Sequence, residues 1–319
     1  MRRSAKTRTL VWLRAVLALA VLSLIGISVG AALGARLPIL ILLQAFAVQV
    51  AGLAAICLLA ALALKMRYWA LVSAAVLLWQ GSLLLPFLWP EREQAVAGQP
   101  LRVLSLNLWR SNPEPQRAID YLLGSGADVI GVVEATPEWR QRLTALKAAY
   151  PYQVDCTHSP IPCWAAVYSK LPILRASADT IDHGPPIVVW AEIGWEGNPI
   201  TVAAVQVSNP MIGLERGRQQ RLGENLSRYV AALPGDAVLM GDFNSAPWGT
   251  LQSEFRERTG FDNLGRLGLT WPSWAPGYAR LPIDQIFTRG ALAVRSFSVG
   301  PPVGSDHLPV RAEIYRTSP

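Results

Sequence analysis

The sequence predicts an α/β domain that is preceded by three transmembrane α-helices. Residues 1–90 contain no Asp or Glu and hold three long apolar segments. From residue 101 onward, strand-like apolar runs first alternate with helix-like stretches, and a hairpin-rich region follows. Polar clusters stand at the ends of several of these runs. Buried strands of α/β sheets are such continuous apolar runs, and their ends are where sites lie.

The three apolar segments cover about residues 10–33, 37–64 and 68–89. Each is longer than the ~20 residues that a helix needs to cross a bilayer. A buried core helix and a cleaved signal peptide are the alternatives, but three consecutive long segments without an acidic residue favour spans. Trp69 and Trp89 lie near the ends of the third segment, where aromatic belts occur. Residues 1–90 are therefore predicted to form a membrane domain in contact with the lipid bilayer.

The distribution of basic residues predicts the orientation of the three spans in the membrane. Four basic residues lie within the first eight, only Arg36 lies between the first two spans, and Lys65 and Arg67 separate the second from the third. Cytoplasmic loops carry an excess of Lys and Arg. We therefore expect a multi-pass protein of the cytoplasmic (inner) membrane, with the N-terminus inside and the C-terminal domain extracytoplasmic.

Residues 1–90 carry a net charge of +8, which accounts for the net charge of +7 of the whole chain. Residues 91–319 carry 21 basic and 22 acidic side chains, a net charge of −1. Strong non-specific binding to nucleic acid needs clustered Lys and Arg along the phosphate track. The soluble part has no dense basic cluster of this kind.

Three cysteines are present. Cys57 lies in the second span, where a small apolar thiol is ordinary. Cys156 and Cys163 flank a Pro-rich loop, and two cysteines this close in an exported domain favour a disulfide. Two free buried thiols and a metal-binding pair remain as alternatives.

A polar linker at 91–100 precedes the soluble domain, which we assign to residues 101–319. A turn at 195–198 is typical of a hairpin. The predicted helices are 116–123, 138–148 and 214–233, and the predicted strands are 101–106, 129–133, 164–169, 187–193, 200–205, 237–240, 285–287 and 310–315.

Five short motifs follow one another through this domain. They are Leu-Ser-Leu-Asn at 104–107, Val-Val-Glu at 132–134, Met-Gly-Asp-Phe-Asn at 240–244, Pro-Ile-Asp at 282–284 and Gly-Ser-Asp-His-Leu-Pro-Val at 304–310. In this order the motifs resemble the endonuclease/exonuclease/phosphatase superfamily, which has the deoxyribonuclease I-like fold, and the chain resembles a bacterial membrane-anchored member. The resemblance implies a four-layer sandwich of two mixed β-sheets flanked by helices.

The resemblance also assigns roles to the acidic and amide residues. It implies that Glu134 is the principal Mg²⁺ ligand, that Asn107 positions the ion or the phosphate, and that Asp306 belongs to the surroundings of the metal. Oxygen donors of this kind suit Mg²⁺, and Mn²⁺ is the alternative ion. By its position alone, Glu134 is either this ligand or a cap of the following helix, although Thr136 already supplies cap chemistry.

The remaining motif residues are implied to act on the substrate. Asp242 and Asn244 orient or activate the attacking water, and Asn244 also holds a phosphate oxygen. His307 acts on the scissile phosphate, and Asp284 orients its imidazole, as a carboxylate does for other catalytic histidines. The structural alternatives are an Asx turn at Asp242 and a surface Asp beside a structural His.

The sequence departs from the pattern at Gln206, where many relatives carry a second His. A Gln can donate a hydrogen bond to a substrate phosphate, but it cannot transfer a proton near neutral pH. Gln285 also stands where many bacterial relatives carry His. The departure at Gln206 bears on how well a poor leaving group is protonated.

These residues predict a Mg²⁺-dependent phosphoester hydrolase that acts outside the cytoplasm, with phosphodiesters favoured. Lipids, small phosphoesters and nucleic acids are all substrates of the family, which contains nucleases, phosphodiesterases and phosphatases. The alternative is a catalytically impaired, membrane-tethered protein of the same fold that binds phosphoesters.

Trp271 and Trp274 either stack on a base, face lipid, or pack against the domain. Nothing in the sequence indicates a protein partner.

Overall fold

The computed structural model describes residues 2–35, 38–89, 95–156, 163–181, 184–209, 218–263 and 265–317. It begins with three helices, which are α1 (Arg2–Ala32), α2 (Ala47–Ala63) and α3 (Arg67–Leu88). Three helical segments, Thr7–Ala32, Ile39–Ala63 and Arg67–Leu88, are long and apolar enough to cross a membrane. The predicted second span is not a single α-helix, because Pro38–Phe46 forms 3₁₀ turns before α2 begins.

The three helices pack through small and branched apolar residues, among them the fully buried Val21, Ala54 and Ala61. Leucines on the opposite faces are exposed, as lipid-facing positions are expected to be. One polar contact joins α1 to α3, because Gln80 Nε2 donates to Ser28 Oγ at 2.9 Å. Buried polar groups between apolar helices need such partners.

The soluble part contains eleven described strands in two mixed sheets. The elements of this part, in chain order, are β1 (Val96–Asn107), α4 (Pro115–Gly124), β2 (Val129–Val133), α5 (Pro137–Leu143), β3 (Tyr152–Asp155), β4 (Ala165–Ser169), β5 (Ile173–Ile181), β6 (Gly184–Trp195), β7 (Asn198–Gln206), α6 (Arg218–Ala231), β8 (Ala237–Asp242), α7 (Thr250–Thr259), β9 (Asp284–Arg289), β10 (Leu292–Val299) and β11 (Val310–Thr317). The first sheet has the order β10-β11-β1-β2-β4-β3, and the second has the order β5-β6-β7-β8-β9.

The four layers follow from three apolar clusters. Side chains from both sheets, such as Val129 and Val238, meet in the central cluster. The outer face of the first sheet is covered by α4 and α5. The outer face of the second sheet is covered by α6 and α7, through residues such as Leu226 and Phe255. The predicted four-layer sandwich of two mixed sheets is confirmed.

The boundaries differ from the predicted ones at several places. The first strand begins at Val96, inside the segment assigned to the linker, because it pairs with the last strand from Val96↔Thr317 onward. The predicted helix 138–148 is α5 followed by 3₁₀ turns at Thr144–Ala148. The first residues of the predicted helix 214–233 lie outside the described residues. The hairpin turn at 195–198 connects β6 to β7 as predicted.

Cys156 and Cys163 are joined by a disulfide, with their Cα atoms 5.4 Å apart. Residues 157–162 between them lie outside the described residues. Both sulfur-bearing side chains are buried in the central cluster between the sheets. Cys57, in α2, is a free buried thiol.

Candidate active site

The predicted site residues lie where strands of the two sheets end or begin. In the first sheet β1 is parallel to β2, and in the second β7 is parallel to β8. Parallel pairing brings the carboxyl ends of neighbouring strands to the same edge, where open α/β sheets bind ligands. Asn107 ends β1, Gln206 ends β7 and pairs with Asp242, which ends β8 and pairs with Asp284.

Asn107 contacts site residues from both sheets. Its Nδ2 lies 3.2 Å from Glu134 Oε1, 3.1 Å from Asp242 Oδ2 and 3.4 Å from His307 Nε2. Its Oδ1 accepts a hydrogen bond from Trp109 N at 2.9 Å, which fixes the orientation of the amide. Only 1% of Asn107 is exposed. The amide therefore holds an acidic group from each sheet beside the imidazole.

Glu134 follows β2 in a left-handed conformation, with φ 57°. Such a conformation is uncommon for a residue other than glycine, and it is found preferentially where function requires it. Its Oε2 accepts from Arg110 N at 3.0 Å, and its Oε1 also lies 3.4 Å from Gln206 Nε2. The cap of α5 is Thr136, whose side chain accepts from Trp139 N. Glu134 is thus free of the capping role that the sequence left open.

Asp242 and Asn244 face each other across a tight turn. Asp242 Oδ1 accepts from Asn244 N at 2.9 Å, and Asp242 Oδ2 accepts from Asn244 Nδ2 at 3.1 Å. The Asx turn considered as an alternative is therefore present, and it brings both side chains into the site. Asn244 is left-handed rather than extended, with φ 49°. Gly241 precedes this turn at φ 149°, where a Cβ would overlap Val205 O.

His307 and Asp284 form a buried pair. His307 Nδ1 lies 2.8 Å from Asp284 Oδ2, and the same oxygen accepts from Thr270 Oγ1 at 2.5 Å. His307 N donates to Ser305 Oγ at 3.1 Å, and Ser305 Oγ donates to Asn107 O at 2.7 Å. These contacts leave Nε2 facing the site, with Asp242 Oδ2 3.9 Å away.

The buried charges shift the proton affinities of this cluster. Burial alone would lower the pKa of His307, but the nearby carboxylates of Asp284 and Asp242 outweigh it and raise the pKa to about 10. Burial raises the pKa of Asp242 to about 7, although His307 acts in the opposite direction. The imidazole and the acidic groups therefore stabilise one another's charges.

Asp306 lies on the rim of the site. Its Oδ2 accepts from Trp271 Nε1 at 3.2 Å, whereas its Oδ1 is buried without a hydrogen-bond partner and lies 4.0 Å from His307 Nε2. Burial is also the main cause that raises the Asp306 pKa. A buried carboxylate oxygen without a partner is costly unless a cation or another donor satisfies it.

These oxygens fit a divalent cation. Ligand atoms of Asp242, Asp284 and His307 all lie within 4.8 Å of one another, so this buried group could bind a metal. Asp284 and His307 Nδ1 already bind each other, however, which leaves the oxygens of Glu134, Asp242 and Asp306 with free acceptor capacity. Carboxylate and amide oxygens are the donor set of hard cations such as Mg²⁺.

Sequence reasoning missed the supporting contacts of three residues. Thr270 bonds the Asp284 carboxylate, Ser305 links the His307 and Asn107 backbones, and Trp271 bonds Asp306. The Thr-Trp-Pro stretch at 270–272 was the available signal, but its contacts depend on a loop that precedes Asp284. Gln285 is turned away from the site, because its side chain bonds Asn263 and Pro282 O.

Comparison with known proteins agrees with this geometry. The sequence profile described as "Endonuclease/Exonuclease/phosphatase family" matches residues 104–307. The chain belongs to the endonuclease/exonuclease/phosphatase family. No curated protein sequence gives a significant match. The membership supports hydrolysis of phosphoesters, and family enzymes of this type are generally dependent on divalent metal.

Solved structures share the fold at low identity. A family member from Bacteroides vulgatus is 17% identical with a TM-score of 0.54, covering 69% of this chain and 100% of that one. Sphingomyelinase C from Streptomyces griseocarneus is 15% identical with a TM-score of 0.51 (68% and 99% covered). D. rerio TDP2, in complex with a single-strand DNA product, is 15% identical with a TM-score of 0.53 (68% and 99% covered). The family profile begins at residue 104, after the three N-terminal helices.

Proposed function

We propose that the protein is a membrane-anchored, Mg²⁺-dependent phosphodiester hydrolase that acts outside the cytoplasm. The observation that carries this proposal is the single buried cluster at the adjoining strand ends, in which Asn107 contacts Glu134, Asp242 and His307. A phosphoester-binding protein would need donors for phosphate oxygens, but it would not need three carboxylates packed around one imidazole.

The reaction is hydrolysis of one phosphoester bond. The oxygen of water forms a bond to phosphorus, one ester P–O bond breaks, and a proton from the water ends on the departing alcohol. A phosphodiester thus yields a phosphomonoester and an alcohol. In-line displacement of this kind is promoted chiefly by positioning and by stabilisation of charge on the phosphoryl oxygens.

The residues of the chain divide these tasks. His307, held by Asp284 through Nδ1, presents a protonated Nε2 to a phosphoryl oxygen of the substrate. Asp242 is the acceptor for a proton of the attacking water. The Nδ2 groups of Asn107 and Asn244 are donors for phosphate oxygens. Asp242 Oδ2 lies 3.9 Å from His307 Nε2, so the proposed proton acceptor and proton donor face the same site.

Glu134 and Asp306 are the residues that would hold Mg²⁺, with Mn²⁺ as a substitute. The partnerless Asp306 Oδ1 supports this assignment. The predicted third ligand, Asn107, presents its Nδ2 and not its Oδ1 to Glu134, so it positions that carboxylate. A bound divalent ion supplies neutralisation of phosphoryl charge. Gln206 Nε2 lies 3.4 Å from Glu134 Oε1, so it is suited to orient that carboxylate and to donate to the substrate.

Hydrolysis of bis-p-nitrophenyl phosphate by the full-length protein in detergent tests the function. We expect Mg²⁺-dependent release of p-nitrophenol that chelation abolishes and that added Mg²⁺ or Mn²⁺ restores. The activated leaving group needs no protonation, so Gln206 does not limit this assay. If no phosphoester is hydrolysed with either ion present, the catalytically impaired binding protein becomes the better description.

The extracytoplasmic location is a separate proposal, supported by the basic residues at Lys65 and Arg67 and by the Cys156–Cys163 disulfide, which is typical of oxidising compartments. We expect a C-terminal alkaline phosphatase fusion to be active and a C-terminal green fluorescent protein fusion to be dark in a bacterial host. A fusion truncated after residue 66 should give the reverse pattern. A bright full-length green fluorescent fusion would contradict the orientation.

A further inference from the structure

The soluble domain is bonded to the helices directly beside the active site. Trp248 Nε1 donates to Gln44 O at 2.6 Å, and Gln44 Oε1 accepts from Thr250 N at 2.9 Å. The Trp248 ring also contacts Phe87 at the end of α3, with centroids 6.0 Å apart. Trp248 follows Asn244 by four residues, so their Cα atoms lie within about 14 Å of each other. The turn that carries Asp242 and Asn244, which we name the catalytic turn, therefore lies within about 14 Å of a residue that contacts the helices.

A second contact is made by residues 271–280, which we name the rim loop. Close to one end, Ser273 N donates to Asp306 O at 2.7 Å. At the other end, Gln49 Nε2 on α2 donates to Arg280 O at 3.0 Å. Arg280 Nη2 in turn donates to Ser273 O at 2.9 Å, and this hydrogen bond connects the two ends of the loop. The rim loop thus joins the active site to a transmembrane helix.

The position of Gln49 along α2 gives the depth of this contact. Gln49 lies 16 residues from Lys65, which marks the other end of the helix. At about 1.5 Å per residue the two are about 24 Å apart. Arg14 Nη2 donates to Leu64 O at 2.9 Å, so a second charged side chain marks the same level as Lys65. The hydrocarbon core of a bilayer is about 30 Å thick, which puts Gln49 within about 6 Å of its far boundary.

The rim loop carries the two most exposed large hydrophobic side chains among the described residues of the soluble domain. Trp274 is 82% exposed and Tyr278 is 77% exposed. Tyr278 O also accepts from Gln49 Nε2 at 3.2 Å, which ties this aromatic residue to the bilayer boundary. Trp and Tyr are enriched at that level, because their rings combine an apolar body with a polar group. The pair is therefore placed to enter the headgroup layer.

We infer that the active site hydrolyses the phosphoester of a lipid in the bilayer that its own helices span, with the rim loop lying among the headgroups. The inference rests on the proposed hydrolase function and names its substrate class. The headgroup layer extends about 5–8 Å beyond the hydrocarbon core, within reach of the catalytic turn. The net charge of −1 over residues 91–319 provides no phosphate track for a long nucleic acid.

The test compares a lipid substrate with a soluble one. The full-length protein is reconstituted into vesicles of phosphatidylethanolamine, phosphatidylglycerol and cardiolipin, and products from each lipid are measured by mass spectrometry. We expect Trp274→Ala with Tyr278→Ala to lower lipid hydrolysis at least ~10-fold, while hydrolysis of bis-p-nitrophenyl phosphate changes less than ~2-fold, because only the lipid must be reached through the rim loop.

The matched control is Tyr152→Ala with Leu174→Ala, which removes two exposed apolar side chains from β3 and β5. We expect it to change neither activity. Equal losses on both substrates in the rim-loop variant would overturn the inference. Hydrolysis of the soluble ester or of single-stranded DNA by the wild type, without hydrolysis of any vesicle lipid, would overturn it while leaving the hydrolase function intact. Absence of all hydrolysis would instead contradict the hydrolase function.

A second measurement is independent of activity. Spin labels attached at Trp274→Cys and, as a control, at Tyr152→Cys report contact with lipid in nanodiscs through their accessibility to oxygen and to a water-soluble relaxation agent. We expect the label at 274 to favour oxygen and the label at 152 to favour the aqueous agent. A label at 274 that is as water-exposed as the one at 152 would refute the placement of the rim loop.

Discussion

Replacing His307 by alanine is expected to lower the turnover of bis-p-nitrophenyl phosphate by ~10²–10⁴-fold, the usual effect of a positioned proton-transfer or charge-stabilising group. The imidazole is 5% exposed, and Asp284 holds its Nδ1 at 2.8 Å. The Mg²⁺ concentration for half-maximal activity should change little, because the proposed ligands are Glu134 and Asp306. Steady-state kinetics over a Mg²⁺ titration measures both quantities.

Gln285→Ala is the matched control for this variant. Gln285 is as buried as His307, but its side chain bonds Asn263 and Pro282 O on the side away from the site. The control should lower the melting temperature, because it leaves a buried amide without its partner, and the folded enzyme should keep its turnover. If His307→Ala keeps wild-type turnover, the role assigned to the imidazole is wrong.

The local sequence pattern was sufficient to predict a strand and its bounds where the strand is buried on both faces. The predicted strand 129–133 has the observed bounds of β2, since all five of its residues are buried. The same pattern did not predict strands at the edges of the sheets. Strand β5 was missed because it is largely exposed or half-buried, so its sequence lacks a continuous apolar run. Helix α7 begins after Gly249 without a side-chain cap, so no local signal marks its start.

The motifs predicted which residues lie together in the candidate site, but not how they contact one another. Asn107 and Asp242 are 135 residues apart, and only the packing of the two sheets brings them within 3.1 Å. The supporting contact of Thr270 with Asp284 spans a loop whose path has no local sequence code. The contact of Gln44 with Thr250 spans 206 residues and joins a predicted membrane segment to the start of α7. Such long-range contacts are set by tertiary packing rather than by periodicity.

Replacing Glu134 by glutamine is expected to reduce both metal affinity and turnover. The substitution nearly preserves the shape of the side chain, and it removes the charge that the proposed Mg²⁺ ligand supplies. In the wild type, Arg110 N and Asn107 Nδ2 both donate to the Glu134 carboxylate. The NH₂ group of the glutamine would face one of these two donors, so one of the hydrogen bonds is lost. The half-maximal Mg²⁺ concentration should rise at least ~10-fold, and excess Mg²⁺ should restore part of the activity.

Glu138→Gln is the matched control, because Glu138 follows Glu134 by four residues, lies in the first turn of α5 and is exposed. It removes the same charge and should change neither the Mg²⁺ titration nor turnover. Isothermal titration with Mg²⁺ separates ligation from catalysis in both variants. Wild-type Mg²⁺ affinity in Glu134→Gln together with reduced turnover would mean that the carboxylate orients Asn107 and Gln206 and does not bind the ion. Unchanged affinity and unchanged turnover would remove Glu134 from the site altogether.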